Sequence, residues 1–403
     1  MDYKTQTDKL LKYITGVDTG DQLSTQEWEE IVQQAAKHLV TPLLYQALKN
    51  AGSRVNVPAS IMERLQGVYY GNALSNKRLY IELSQVLKNL HNQGIDVILL
   101  KGAYLAKFVY KDIALRPRGD IDLLVRKTEL AKAEKILLEM GYGPTDRPSI
   151  EAQCARVHHL IPFKKRNAMP IEIHWTIDKL SSPFKLEADE LWRRAQPING
   201  INAFALAPED LLLHLCLHTT YFHSFNPLKF LCDFPKTLQY YQDEIDWELL
   251  FHRAHQWGAN KTVFLTLYLV RELLNVPLEQ LERFKPDDFN PQVVTLAKTL
   301  IFNGSTFTTQ SFAKFWEAKP FKDKVIILMK RVFPPPEFMA LTYPVPSRSI
   351  QMYLFYLIRL KYLLVRYGTT TWRLLRGNKR ELQTMENMNN VYALQDWMKS
   401  SHH

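Results

Sequence analysis

The chain has 403 residues, of which 46% are hydrophobic and 12% aromatic, a composition typical of a globular protein of two or three domains and not of a disordered chain. Its formal net charge of +10 is compatible with a phosphate-rich or anionic partner. The three cysteines have no CxxC spacing, and neither a signal-peptide pattern nor an apolar run of about eighteen residues occurs, so we expect a cytoplasmic protein without disulfides or a transmembrane segment.

Residues 1–92 are expected to form an N-terminal helical region. Ser24 and Thr25 have the polar side chains that cap helix starts, and apolar residues follow at helical spacing, namely Ile31, Val32, Ala35 and Leu39. A longer amphipathic helix is predicted from Ile61 to Leu90, with Gly94 shortly after its end.

Residues 93–200 are predicted to form a core of strands and helices. Short apolar or β-branched runs predict strands, and runs with helical spacing predict helices. The expected elements are a strand Ile95–Leu100, a helix Ala103–Tyr110, a loop Lys111–Gly119, a strand Ile121–Val125, a helix Thr128–Met140 and strands Val157–Lys164 and Ile171–Trp175.

Two aspartates stand where the strand Ile121–Val125 begins. Side chains alternate along a strand, so Asp120 and Asp122 are expected on one face while Ile121 points into the core. Adjacent carboxylates repel each other and are costly in a half-buried strand unless a cation lies between them. Because Mg²⁺ prefers such oxygen ligands, the pair predicts a metal site rather than two solvated acids in a turn.

A third carboxylate is predicted to complete this site. Glu172 stands alone between the β-branched Ile171 and Ile173, which is the pattern of a strand with one projecting acid. If that strand lies beside the strand with the aspartates, three carboxylates come together.

The motifs that surround these acids carry a family resemblance. Together, LLKGAYLAKFVY, RPRGDIDLLV, MGY, HHLIPF and IEIHW resemble a bacterial family of uncharacterised nucleotidyltransferases, within the superfamily of polymerase β-like fold. The resemblance covers residues 20 to 260. The sequence departs from the superfamily pattern in two ways: the distance between the glycine turn and the aspartates is longer, and Lys101 precedes Gly102. The role that a Gly-Ser pair usually has in the superfamily is therefore less readily assigned to this turn.

The resemblance implies a reaction and roles for the acids. A nucleoside monophosphate would pass from an NTP such as ATP to an acceptor, and pyrophosphate would be released. Asp120, Asp122 and Glu172 would hold two Mg²⁺ ions, with Mn²⁺ as the alternative metal, and Glu172 would take the acceptor's proton.

Four further residues are candidates for nucleotide binding. Gly102 would let the backbone approach the triphosphate, and Lys101 would offer it a positive charge. Arg116 and Arg118 flank Pro117 just before the aspartates and are interpreted as phosphate-binding or loop-anchoring groups.

Three histidines in the predicted strands are candidates for supporting the acids. His158 and His159 alternate along their strand, so only one is expected to face the site, whereas His174 shares the face of Glu172. Histidines beside a metal often orient its carboxylate ligands. The alternative interpretation is that each histidine is a buried core residue whose hydrogen bonds are satisfied inside the protein.

Residues 201–318 are predicted to form a helical domain. His214 and His218 lie four residues apart on one helix face, a spacing found in zinc sites. No HExxH glutamate and no clear third ligand accompany them, so zinc is not predicted.

Asp233 is an acid inside the apolar run Phe230–Phe234 and requires a partner, for which His218 and Arg253 are the candidates. Asp233 and His218 are therefore interpreted as supporting residues in a helical lid beside the nucleotide site.

Residues 319–403 are set apart by their charge. Twelve basic and two acidic residues fall between positions 320 and 380, so this segment accounts for the net charge of the whole chain. A mostly apolar helix is predicted from Ile350 to about Arg376. It is interpreted as a core helix with snorkelling basic residues, a surface for RNA or an interfacial membrane contact.

The predicted fold is α+β, with a small mixed nucleotidyltransferase sheet flanked by N-terminal and C-terminal helical regions. The acceptor is expected to be a small molecule or a protein, because no aromatic residues interleave the basic ones as they do in base-stacking surfaces. A toxin-like nucleotidyltransferase that acts on tRNA and a degenerate nucleotide-binding module without catalysis are the alternatives. The intact set of three acids argues against the second.

Overall fold

The computed structural model describes residues 3–16, 22–143, 147–180, 182–303, 349–375 and 390–399, together with a few positions between 322 and 343. In these parts of the chain, helices surround a small mixed sheet of five strands. The predicted α+β fold is confirmed.

The sheet consists of short strands, namely β1 Ile98–Leu99, β2 Ile121–Leu124, β3 Ile171–His174, β4 Gln196–Pro197 and β5 Phe204–Ala205. Their order is β3-β2-β1-β5-β4. β1 pairs antiparallel with β2 and parallel with β5, and β4 pairs antiparallel with β5. β2 and β3 are parallel, in a register that places Asp122 opposite Glu172.

In the described residues before the sheet, the α-helices are α1 Tyr3–Ile14, α2 Thr25–Lys37, α3 Thr41–Ala51 and α4 Ala59–Asn92. The predicted cap of α2 is present, since the Ser24 hydroxyl accepts a hydrogen bond from the Glu27 N–H and the Ser24 N–H donates to the Glu27 carboxylate. Leu39 does not extend this helix as expected, because α2 ends at Lys37 and Leu39 has a positive φ of 58°.

The later helices are α5 Lys101–Tyr104, α6 Leu130–Glu139, α7 Ile150–Cys154, α8 Ala188–Arg194, α9 Pro208–Leu217, α10 Lys229–Tyr240, α11 Trp247–Gln256, α12 Asn260–Leu274, α13 Pro291–Asn303, α14 Pro336–Ala340 and α15 Met352–Leu375. Two of them continue directly into wider π-type turns, α5 into Leu105–Val109 and α9 into His218–Phe222. Such turns occur often at functional sites.

The buried core runs through most of the described chain. It includes Trp28 of α2, Ile121 of β2, Phe264 of α12 and Leu394 of the helical residues 390–399. The sheet is therefore held in place by helices from both sides of it in the sequence, which gives β2 and β3 a fixed position.

The prediction of a regular strand over Val157–Lys164 is wrong. This segment makes two isolated antiparallel bridges to β3, through His159 and Phe163. The Leu160 N–H donates to the Ile173 carbonyl and the Phe163 N–H to the Ile171 carbonyl, so three residues of this segment span two residues of β3 and the pairing is bulged. The strand predicted from Ile95 is likewise confined to β1.

The C-terminal part is described only partly. The basic residues Lys324, Lys330, Arg331, Arg348, Arg376, Lys379 and Arg380 lie outside the described residues, as do the side chains of Arg366 and Arg373. Where the chain is described, no helix has both the length and the apolar character needed to cross a membrane.

Candidate active site

The residues singled out in the sequence border one cleft of about 660 Å³. The predicted residues in its wall are Lys101, Gly102, Arg116, Arg118, Asp120, Asp122, His158, His159, Glu172, His174 and His218. Asp233 is not in the wall and lies behind it, bonded to Arg116. Residues separated by more than 100 positions in the chain therefore meet at one place.

Two acids and one histidine form the centre of the cleft. Asp122, Glu172 and His174 each offer one potential ligand atom, and these three atoms lie within 4.8 Å of one another. His174 Nε2 is 2.9 Å from Asp122 Oδ1 and 3.6 Å from Glu172 Oε2. The parallel register of β2 and β3 produces this grouping, because it aligns Asp122 with Glu172.

Asp120 has a different position from Asp122. It precedes β2, is exposed and does not belong to the group of three ligand atoms. The sequence predicted a cluster of three carboxylates, whereas the structure groups two carboxylates with an imidazole and leaves Asp120 beside them.

The charges in the cleft act differently on the acids. Burial alone would raise the pKa of Asp122, but the Lys101 ammonium at 3.1 Å and the bond from His174 hold that pKa well below its usual range. The Asp120 carboxyl is still accessible to solvent, but the protein atoms around it in the cleft remove part of its hydration; this desolvation, together with the Asp122 charge, raises its pKa. For Glu172, burial again opposes ionisation, but the bond from His174 outweighs it and lowers the pKa. Of the three acids, Asp120 is therefore the one whose pKa is raised overall, whereas the pKa values of Asp122 and Glu172 are lowered.

Lys101 enters the site from a strained backbone. Its φ of 41° is in the left-handed region, which costs a non-glycine residue about 1 kcal/mol. The side chain donates a hydrogen bond to Asp122, so the Lys101 ammonium lies directly beside the Asp122 carboxylate. A lysine in this position can neutralise the carboxylates and still reach an incoming phosphate.

Arg116 and Arg118, which looked equivalent in the sequence, have separate environments. Arg116 is buried and makes two bonds of 2.7 Å to the Asp233 carboxylate. Asp233 also accepts a bond from the Tyr110 hydroxyl. The expected partners of Asp233 are therefore wrong, because Arg253 bonds to Glu209 and Asp210 instead and His218 is not its partner.

Arg118 has bonding capacity left over. Its Nε and Nη1 donate weak bonds of 3.3 Å to Asn76 and to the Gly102 carbonyl, while Nη2 is buried with no hydrogen-bond partner among the described residues. A buried donor without a partner is unfavourable in the ligand-free protein. Of the two arginines, Arg118 is thus better placed to receive an anionic ligand.

Gly102 is required by close packing against both arginines. A Cβ added there would lie 2.5 Å from Arg116 Nη1 and 2.8 Å from Arg118 Cδ. Arg116 cannot retreat, because Asp233 holds it at two points.

We therefore expect Gly102→Ala to lower the free energy of unfolding by about 1–3 kcal/mol, as measured by urea denaturation. The matched control is Gly119→Ala, since a Cβ at Gly119 meets nothing within 4 Å and Gly119 also borders the cleft. Equal stabilities of the two variants would contradict this packing argument.

The histidine pair His158 and His159 departs from the prediction that only one faces the site. Both border the cleft, because the segment that carries them is not a regular strand. Their rings lie 4.7 Å apart, and His159 Nε2 is 3.9 Å from Glu172 Oε2. Burial lowers the pKa of His158 to about 2 and also lowers that of His159, so both imidazoles are neutral at pH 7.

Several cleft residues were not predicted from the sequence, namely Lys179, Phe222, His223, Lys229 and Phe230. His223 Nε2 lies 3.2 Å from His218 Nε2, and its ring stacks on Phe230 at 4.4 Å. Burial is the main cause that lowers the pKa of Lys229 to about 8, with Arg116 adding to it. These residues form an aromatic and basic wall of the cleft.

His214 lies next to this wall but is not part of it. Both of its ring nitrogens are buried without a hydrogen-bond partner among the described residues, and its ring is 6.0 Å from that of His218. Within the described chain, Asp122, Glu172 and His174 are the group of three side chains close enough to hold one metal ion.

The part of the chain that contains the cleft matches a known protein family. A family model described as "Uncharacterised nucleotidyltransferase" matches residues 24–275. This range includes α2, the whole sheet and α12, and with them every residue of the cleft wall. No curated protein and no solved structure was found to match the chain.

Proposed function

The chain belongs to the family of uncharacterised nucleotidyltransferases, and from this premise we propose that its cleft transfers a nucleoside monophosphate from an NTP to an acceptor and releases pyrophosphate. The observation that carries the proposal is the close grouping of Asp122, Glu172 and His174 in a cleft whose other wall is basic. The bacterial origin and the polymerase β-like superfamily suggested by the sequence motifs belong to the same proposal.

The donor set of the grouped residues fits a divalent metal ion. Two carboxylates suit Mg²⁺ and Mn²⁺, whereas an imidazole is more typical of zinc and iron sites, so the fit to Mg²⁺ or Mn²⁺ rests on Asp122 and Glu172. A bound ion would neutralise charge on the phosphates and polarise the reacting phosphoryl group. Asp122 and Glu172 would hold it, His174 would bind it or orient Asp122, and Asp120 is proposed as the additional carboxylate for a second ion.

The basic residues of the cleft would hold the triphosphate. Lys101 is bonded to Asp122, Arg118 has a donor without a partner, and Lys229 is a largely buried ammonium near the acids. Each would place a positive charge beside phosphate oxygens. Phe222 and Phe230, in the same wall, offer apolar ring surface to the base.

In the proposed reaction the acceptor oxygen or nitrogen attacks the α-phosphorus. A bond forms between that atom and phosphorus while the bond from phosphorus to the pyrophosphate oxygen breaks. Glu172, ionised at neutral pH because His174 lowers its pKa, would take the acceptor's proton. We propose a small molecule or a protein as acceptor, because the described cleft wall has no extended track of basic and aromatic residues for a nucleic-acid strand.

Metal binding tests this proposal directly. Glu172→Gln removes one carboxylate charge from the proposed ligand group, and we expect the affinity for Mn²⁺ to fall at least about tenfold, measured by isothermal titration calorimetry. Glu139→Gln is the matched control, because the side chain of Glu139 is 65% exposed and is not part of the cleft wall. Unchanged Mn²⁺ affinity in Glu172→Gln would contradict the metal assignment.

Lys229 gives the site a pH dependence of predictable sign. Because burial lowers its pKa to about 8, the ammonium is charged at pH 7 and loses its proton as the pH rises through 8. The affinity for a non-hydrolysable NTP analogue should therefore fall about tenfold per pH unit above that value, as measured by fluorescence anisotropy.

The control variant is Lys229→Arg, whose guanidinium stays charged over this range and should keep the affinity constant. Lys229→Met should bind weakly at every pH. A wild-type affinity that stays level above pH 8 would contradict a phosphate contact for Lys229.

A further inference from the structure

One surface of α15 (Met352–Leu375) has no role in the proposed reaction. Apolar side chains recur there at helical spacing, and each is well exposed. We call this set the exposed apolar face; its members are Tyr353, Leu354, Leu357, Ile358 and Leu364 of the helix, with Ile350 just before it. The exposed fractions of Leu357 and Leu364 are both 63%. A contiguous apolar surface of this kind usually marks an interaction site.

The opposite face of the helix is the one that packs within the protein. Met352 is buried against Met339 of α14, with Tyr343, Phe355 and Tyr356 around them. The Tyr356 hydroxyl donates to the Pro334 carbonyl, and Arg156 lies over the Phe338 ring at 4.8 Å. The core interpretation of this helix is therefore wrong for the exposed apolar face, which is turned away from these contacts.

The charge of the segment decides which partner fits the face. The sequence from 320 to 380 has twelve basic residues and two acidic ones, and Lys361 is exposed within the face itself. A second copy of the chain would bring two strongly positive segments together, which is unfavourable. RNA would bind the basic groups and leave five aliphatic side chains without a suitable contact.

We infer that α15 lies on an anionic lipid surface, with the exposed apolar face turned into the boundary between headgroups and acyl chains. Aliphatic and tyrosine side chains gain from that boundary, and the exposed Lys361 can extend its ammonium to the lipid phosphates. The helix would lie along the bilayer surface and not cross it. This inference does not depend on the proposed nucleotidyl transfer.

Vesicle flotation of the full-length protein tests the inference. Binding is expected to vesicles of phosphatidylcholine with about a third phosphatidylglycerol, to fall with added salt, and to be weak with phosphatidylcholine alone. The double variant Leu357→Gln, Leu364→Gln should lower the partition onto anionic vesicles about tenfold or more. Both side chains are exposed, so the fold should survive, as checked by the thermal transition.

A matched control and a second variant separate the apolar contribution to vesicle binding from the contribution of charge. Leu74→Gln with Ile81→Gln changes two apolar residues on α4 that are exposed by 53% and 56%, and should leave vesicle binding unchanged. Lys361→Gln, which removes one positive charge and introduces no negative one, should weaken binding to anionic vesicles about fivefold.

Three results would overturn the inference. One is the absence of flotation with anionic vesicles. Another is equal flotation of the wild type and the Leu357→Gln, Leu364→Gln variant. The third is a stable dimer in solution, seen by light scattering, that this variant dissociates, since the face would then join two copies of the chain.

Discussion

Asp122→Asn should abolish nucleotidyl transfer. Changes in residues that only support a metal ligand typically lower activity or metal affinity about 10–100-fold, so loss of a central ligand charge should exceed about a hundredfold. Asp122 is the acid that contacts both Lys101 and His174, and its replacement disturbs the ligand group and the neutralising lysine together. The measurement is the rate of pyrophosphate release with saturating Mg²⁺.

The same variant should also lose stability, by about 3 kcal/mol in urea denaturation at neutral pH. Asparagine leaves the partly buried Lys101 ammonium without its carboxylate partner. The repulsion between adjacent carboxylates, which the sequence indicates, would by itself predict the opposite, a gain in stability on removal of either aspartate charge. The structure restricts that gain to Asp120, whose pKa is raised by partial desolvation in the cleft and by the Asp122 charge.

Asp120→Asn is therefore the matched comparison, and its stability should equal or exceed that of the wild type.

The stability of the wild type should depend on pH with a sign that follows from the lowered pKa of Asp122. The stability that Asp122 contributes is present above the pKa of about 4 that the group has in the unfolded chain, and it is lost as the pH falls below that value. A larger loss of stability in Asp120→Asn than in Asp122→Asn would contradict this assignment of the charges.

Asp233→Asn should be the most destabilising of the substitutions considered, at about 3–5 kcal/mol. Asp233 and Arg116 form a buried pair with two bonds of 2.7 Å, and removing one charge leaves the other buried without compensation. The double variant Arg116→Met, Asp233→Leu should recover most of the loss. The free energies of unfolding of the wild type, Asp233→Asn and the double variant are measured by equilibrium urea denaturation.

The exposed pair Arg64 and Glu29, also joined by two bonds, provides the control. Arg64→Met should change the stability by less than about 1 kcal/mol, because solvent screens that pair. If Asp233→Asn kept its stability and instead weakened NTP binding, Arg116 would be a nucleotide ligand and not an anchor for the loop before β2.

The acids of the site could be predicted from the sequence because local patterns determine them. Alternation along β2 and β3 identifies Asp122, Glu172 and His174, and the flanking apolar residues place both strands in the core. The pattern does not show that Asp120 precedes the strand, since strand ends depend on pairing with neighbours. The two acids of the motif therefore differ in burial although they are equivalent in the sequence.

The aromatic and basic wall could not be predicted in the same way. His218 and His223 are five residues apart, which places them on different faces of a regular helix, and the π-type turn over His218–Phe222 brings them together. Lys229 follows no motif. The Arg116–Asp233 pair joins positions 117 residues apart, a contact that depends on tertiary packing and not on any local pattern.

The most direct test of the central claim is the fate of the α-phosphate. NTPs labelled at that position are incubated with cell extract and the full-length protein, and covalent label in an acceptor is measured with Mg²⁺ and with a chelator. With the wild-type protein we expect labelled acceptor in the presence of Mg²⁺ and none in the presence of the chelator. With Asp122→Asn and Glu172→Gln we expect no labelled acceptor under either condition. Label transfer from the γ-phosphate only, or α-label transfer that survives in both variants, would contradict a metal-dependent nucleotidyl transfer in this cleft.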